Sequence, residues 1–269
     1  MSTYTFGFIG TGNMGGALAK AARKSLAPEQ MLLSDAFAPK AEELAAQLGC
    51  KAGAVKEVAQ QAKYIFLGVK PQMMQGLLTE IGPILAARED RFVLVTMAAG
   101  LTMERINAMA GGSYPTIRIM PNIPCAVGAG VILYDSTRDV TAEELAEYTG
   151  LMKGAGLLDQ LDEHLIDAGC SISGCGPAFV SMFIEALADG GVATGLPLAK
   201  AQLYATAMVE GAAKLLLTTG QHPGQLKDAV CSPGGSTIAG VRALEQGGMR
   251  YSVMQSVIDA TARNKELGK

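Results

Sequence analysis

The chain has 269 residues, enough for two modest domains, and 49% of them are apolar, so a sizeable core can be buried. A formal net charge of −3 argues against nucleic acid or an anionic membrane surface as the main partner, so any anion site must be local. Five cysteines with no CxxC pair and only two histidines, His164 and His222, leave no clustered ligands for a metal. Buried thiols in a reducing cytoplasm are expected instead.

The N-terminus leads into a strand and lacks the basic, apolar, small-residue order of a signal peptide. Thr3 to Ile9 is aromatic and β-branched and reads as a buried strand. It runs into Gly10-Thr11-Gly12-Asn13-Met14-Gly15-Gly16 and a helix from about Met14 to Ser25. Three glycines spaced GxGxxG between a strand and a helix mark a dinucleotide turn. Gly10 makes the turn, Gly12 admits a pyrophosphate, and Gly15 lets the helix pack on the strand. The pyrophosphate would sit on the free N–H groups of the helix start.

Met31 to Ser34 is a second short strand, followed by Asp35, twenty residues after Gly15. An acid there accepts hydrogen bonds from the adenosine ribose, favours NAD and repels a 2′-phosphate. It serves equally as a cap for the helix that follows. Ser34 and Lys40 are the side chains in reach for a 2′-phosphate, so NADH and NADPH both stay open.

Helices are expected over Pro39–Leu48 and Val55–Ala62. Tyr64 to Val69 is a near-continuous apolar run, as in a parallel strand covered on both faces. It ends in the loop Lys70-Pro71-Gln72, at the strand end where open α/β sheets bind ligands. Phe92 to Met97 is a further strand, followed by Ala98-Ala99-Gly100 and a helix over 102–110. Thr116 to Met120 leads into Pro121-Asn122-Ile123-Pro124, whose prolines stiffen the chain near Met120 and Asn122. Val131–Tyr134 and Leu157–Gln160 are strands around a helix over 142–153. This alternation predicts a Rossmann-type, mainly parallel, doubly wound α/β sheet over residues 1–163.

Beyond Leu165 only helices are expected, giving an all-α domain over 164–269. The uncharged run Ala168–Ile184 carries too many glycines, serines and prolines for a good membrane span. Gly176-Pro177 starts a helix reaching about Thr194, and Pro197 starts another to about Thr218. The second is apolar around much of its circumference and must be buried. Two such helices and a third from Arg250 to Glu266 exceed what one small domain can cover, which predicts a two-fold homodimer. Close helix approach at that interface would account for Gly190, Gly191 and Gly195.

Cys231-Ser232-Pro233-Gly234-Gly235-Ser236-Thr237 then looks built to hold an anion. The glycines let successive N–H groups point at one spot, and Ser236 is expected to cap a helix running to Gln246. The helix dipole favours a carboxylate or phosphate, and Thr237 adds a hydroxyl. Taken alone, the same residues also make an ordinary turn and cap.

Over Leu226–Glu245 the string LKDAVCSPGGSTIAGVRALE closely resembles the signature of pyrroline-5-carboxylate reductases, the last enzymes of proline synthesis. Arg118-x-Met120-Pro121-Asn122-x-Pro124 and Val69-Lys70-Pro71 resemble further motifs of that family. The resemblance implies hydride transfer from NADH or NADPH to a small cyclic imino acid. It places the substrate carboxylate on the N–H groups of Ser232, Gly234, Gly235, Ser236 and Thr237, with Thr237 as the catalytic residue beside the ring nitrogen. For the cofactor, the glycine turn, the strand ends and the resemblance together point to Gly10, Thr11, Gly12, Asn13, Met14, Gly15, Ser34, Asp35, Val69, Lys70, Pro71, Ala98, Ala99, Gly100, Met120 and Asn122. Asp35 departs from the family, many of whose members prefer NADPH and carry Ser, Asn or Arg in this region. The resemblance also implies dimers with interlocked helical domains, assembled further, up to a decamer of dimers. Where the family writes Ser-Gly-Ser-Gly-Pro-Ala, this chain has Cys175 for the second serine. A β-hydroxyacid dehydrogenase shares the plan but needs a lysine on the first long helix of the second domain, and Ala178–Leu187 has none. A dinucleotide sensor would keep Gly10, Gly12 and Gly15 without needing the loop 232–237.

Overall fold

A computed structural model describes residues 2–267. They form two compact units, 2–174 with 260–267, and Cys175–Asp259.

The first unit is built on one sheet. Its strands are Tyr4–Ile9 (β1), Met31–Ser34 (β2), Lys51–Ala52 (β3), Ala62–Leu67 (β4), Val93–Thr96 (β5), Thr116–Met120 (β6), Gly130–Ser136 (β7) and Gly156–Gln160 (β8), in the order β3-β2-β1-β4-β5-β6-β7-β8. Neighbours are parallel except β6 and β7. The helices are Asn13–Ala22 (α1), Ala38–Leu48 (α2), Val55–Gln61 (α3), Pro71–Ala86 (α4), Met103–Ala110 (α5), Ala142–Met152 (α6) and Glu163–Ser173 (α7).

Side-chain alternation along the strands makes two cores, one on each face. Phe6, Phe8, Tyr64 and Phe66 pack with α1, α2 and α6, and the Phe8 and Phe66 rings stack at 4.2 Å. Ile9, Ile65, Leu67 and Leu94 pack with α3, α4 and α5 on the other side. A sheet covered this way is doubly wound, and β1 and β4 flank the point where strand order reverses.

Helix α4 was not expected, since Lys70-Pro71-Gln72 reads as a loop. Pro71 instead starts the helix, with Lys70 as its N-cap. Met74, Leu78, Ile81 and Leu85 form its buried stripe at helical spacing. The two-residue β3 was too short to leave a pattern. Strands end at Gln160, but α7 stays with the first unit. Ile166 is buried against Met120 and Leu133, and Asp167 pairs at 2.6 Å with the buried Arg118.

The second unit holds Gly176–Ala193 (α8), Leu198–Thr219 (α9), Pro223–Ala229 (α10), Ser236–Gln246 (α11) and the first part of Met249–Leu267 (α12). The last turns of α12 belong to the first unit, where Thr261 donates to Ser171 and Asn264 to the Asp167 carbonyl. Among the described residues, only Ala188, Ala201 and Ala205 are buried apolar residues of the second unit. Met182, Leu203, Leu217 and Tyr251 stand exposed.

The glycines of this unit divide differently from expectation. Gly191 does mark a close approach, but within the chain: a Cβ there would lie 3.0 Å from that of Ala201 on α9. Gly195 is required by its φ of +98°, and Gly190 faces open space. By length and composition, 163–193 is apolar enough to cross a membrane, but a turn at Gly174-Cys175 divides it into α7 and α8.

Candidate active site

The glycine turn between β1 and α1 has the geometry of a phosphate cradle. Gly10 has φ +99°, and any Cβ there would meet the Gly68 carbonyl oxygen at 2.6 Å. A Cβ on Gly15 would overlap the Gly10 carbonyl oxygen. Gly12 is the N-cap of α1 and supplies no side-chain acceptor, so the first-turn N–H groups face outward. A Cβ at Gly12 would find only the Lys40 ammonium, at 3.8 Å. The cradle therefore fits a dinucleotide pyrophosphate: tight beneath, open above and uncapped.

Beside it lies a cleft of about 480 Å³, lined by Gly12, Asn13, Met14, Lys40, Gly68, Val69, Lys70, Met97, Met120 and Pro121. It opens at the C-terminal ends of β1 and β4, the switch point of the sheet. Gly12, Asn13, Met14, Val69, Lys70 and Met120 thus meet at one place. Gly68, Met97 and Lys40 join them. Gly68 and Met97 each had a signal, since Gly68 precedes Val69-Lys70-Pro71 and Met97 precedes Ala98-Ala99-Gly100, while Lys40, already singled out beside Ser34, comes from the first turn of α2.

Pro71 and Ala99 line a separate cleft of about 620 Å³ with Gln72, Gln75, Leu101, Arg105 and Met109. Ala98 is buried and Gly100 turns with φ +74°. Ser34 is 1% exposed, and its carbonyl accepts the Gly10 N–H. The Asn122 amide brackets the fold: Nδ2 donates to the Ser173 carbonyl at 2.9 Å, and Oδ1 accepts the Val131 N–H at 2.9 Å.

Asp35 combines its two expected roles. Oδ2 accepts from the Thr11 N–H at 2.7 Å and the Thr11 hydroxyl at 3.1 Å, while Oδ1 accepts the Phe37 N–H at 3.0 Å. Burial acts to raise its pKa. The hydrogen bonds from Phe37 and Thr11, with the nearby Lys40 charge, outweigh it and hold the carboxyl below its ordinary value.

In the second unit the loop 231–235 turns at Gly234, with φ +69°, and the Gly235 N–H donates to the Ser232 carbonyl at 3.0 Å. The N-cap of α11 is Gly235, not Ser236, which is already the first helical residue. A Cβ at Gly235 would meet the rotatable Ser232 hydroxyl and, at 3.2 Å, the Ser232 carbonyl oxygen. No side chain caps the helix. The Ser236 and Thr237 side chains are exposed at its positive end.

A doubly wound sheet with a glycine-rich turn at its switch point, followed by a helical unit, is the plan of a dinucleotide-dependent oxidoreductase. Comparison with known proteins narrows this. The family described as "Pyrroline-5-carboxylate reductase dimerisation" matches residues 163–267, and "NADP oxidoreductase coenzyme F420-dependent" matches 5–100. The chain is 39% identical over 266 residues to pyrroline-5-carboxylate reductase of Escherichia coli, covering 98% of each, and 37% identical over 267 residues to that of Pisum sativum, covering 98% and 96%. It also superposes on the solved reductase of Coxiella burnetii with a TM-score of 0.89, and on that of Plasmodium falciparum with NADP bound at 0.87. Each is 28% identical, with all of both chains covered. The chain belongs to the pyrroline-5-carboxylate reductase family.

Proposed function

We propose that the chain reduces 1-pyrroline-5-carboxylate to L-proline with NADH or NADPH, the last step of proline biosynthesis. The observation that carries the substrate half of this reading is the uncapped start of α11, where Gly234 and Gly235 leave the helix N–H groups without a side-chain partner. A carboxylate is one of the anions such a terminus holds. In this reading the backbone of Ser232 and Gly234–Thr237 grips the imino acid, and the Thr237 hydroxyl orients the nitrogen end of the ring.

When bound, the reduced nicotinamide supplies the hydride. Gly10, Gly12 and Gly15 cradle its pyrophosphate, and Met14, Val69, Lys70, Met97 and Met120 line the cleft beside them. The substrate imine takes a proton readily in water and arrives activated. What remains for the protein is orientation, holding the C=N carbon at near-attack distance, so no strong side-chain acid is required.

The division of labour follows the sequence. Residues 1–163 hold the dinucleotide, and 164–269 bind substrate and join subunits. The chain works as an oligomer. A homodimer through the helical unit, with assembly up to a decamer of dimers, is supported by the exposed apolar side chains of α8, α9 and α12. A cytoplasmic location is supported by five cysteines with no CxxC pair among them.

The test is turnover by the whole protein. It should oxidise NADH or NADPH when given 1-pyrroline-5-carboxylate, and reduce NAD+ or NADP+ when given L-proline at high pH. Binding of dinucleotide without turnover in either direction would mark a sensor and overturn the reading.

A further inference from the structure

The reduction itself does not require Asp35, yet the fold holds it rigidly. Three donors from two segments fix both carboxylate oxygens: the Thr11 N–H and hydroxyl on one, the Phe37 N–H on the other. Thr11 is itself buried within the glycine turn, so the acid is tied to the loop that cradles the pyrophosphate. Swinging it aside to admit another anion would break all three hydrogen bonds. Its position, directly after β2 and next to the turn, is where an open sheet of this strand order brings the adenosine ribose.

Of the two side chains that could welcome a 2′-phosphate, Ser34 is buried at 1% exposure. The Lys40 ammonium does attract Asp35, but it stands 3.8 Å from where a Cβ on Gly12 would lie, over the pyrophosphate approach. A 2′-phosphate would therefore bring its negative charges against a fixed carboxylate. A 2′-hydroxyl would find an acceptor, because Oδ1 carries one partner and has a lone pair left.

From this geometry we infer that Asp35 makes NADH, rather than NADPH, the preferred reductant, by accepting the ribose 2′-hydroxyl and repelling a 2′-phosphate. The inference rests on the reading that the glycine turn holds the dinucleotide.

Two readouts on the whole protein test it. Dissociation constants for NAD+ and NADP+ are measured by titration calorimetry, and kcat/KM for NADH and NADPH with 1-pyrroline-5-carboxylate. Wild type should favour the non-phosphorylated form in both by roughly tenfold or more, the size of one like-charge contact in a partly solvated site. Asp35→Ser should move both ratios toward the phosphorylated form by about as much. Asp35→Asn, which keeps the shape and drops the charge, should move them the same way. The ratio is insensitive to an inactive fraction, and the wild-type ratio stands without any variant. Wild type preferring NADP(H), or both variants leaving the ratio unchanged, would overturn the inference. Preferential NAD+ binding without turnover would overturn the assigned reaction and leave the role of Asp35 standing.

Discussion

Single side chains separate the groups that do chemistry from those that hold the site. Thr237 stands exposed at the first turn of α11 and has no structural duty there. Thr237→Ala should therefore leave the melting temperature unchanged and lower kcat/KM for the imine by one hydrogen bond, about 1–3 kcal/mol of transition-state binding. An unaltered kcat/KM would remove Thr237 from the site. Gly15 is the opposite case. A methyl group there collides with the Gly10 carbonyl, a backbone atom that cannot rotate away. Gly15→Ala should destabilise the first unit by about 1–3 kcal/mol and weaken NAD+ binding. Thermal melts with and without dinucleotide would register both effects.

At the scale of elements, α7 shows how a helix in the amphipathic half of the chain is recruited to the sheet. The Arg118 side chain is 2% exposed, pairs with Asp167 at 2.6 Å and Glu163 at 3.5 Å, and has no partner at Nε. Asp167 removal leaves most of a buried guanidinium charge unmatched. Asp167→Ala is expected to cost up to about 3 kcal/mol, and Asp167→Asn less, in urea unfolding. Equal stability of Asp167→Ala and wild type would show that Glu163 alone satisfies Arg118. The α8–α9 pair depends instead on shape. With 3.0 Å between a Gly191 Cβ and that of Ala201, Gly191→Leu must force the helices apart and lower the melting temperature.

For the whole molecule, the decisive quantity is apolar surface. Leu217 is 84% exposed and Met182 69%, with Leu203 and Tyr251 beside water as well. Surface of this kind on several helices of one unit calls for another subunit. Light scattering on the purified protein should give a mass of at least two chains. A monomer at micromolar concentration would contradict this, and would require another explanation for the family match over 163–267.

Much of this was written locally in the chain. Short apolar runs mark β1, β2 and β6, and the GxGxxG spacing marks the turn after β1, because turn geometry is a property of neighbouring residues. The signature over 226–245 marked the loop proposed to bind the acid in the same way. What neighbours alone do not encode needed tertiary structure. Only the folded chain shows that Asn122 and Ser34 are turned inward, that Gly235 rather than Ser236 caps α11, and that Pro71 opens a helix rather than lying in a loop. The same holds for Asp35, whose grip on Thr11 joins residues 24 apart in the chain. Burial and long-range hydrogen bonds are set by what packs across the sheet, and no local pattern carries that information.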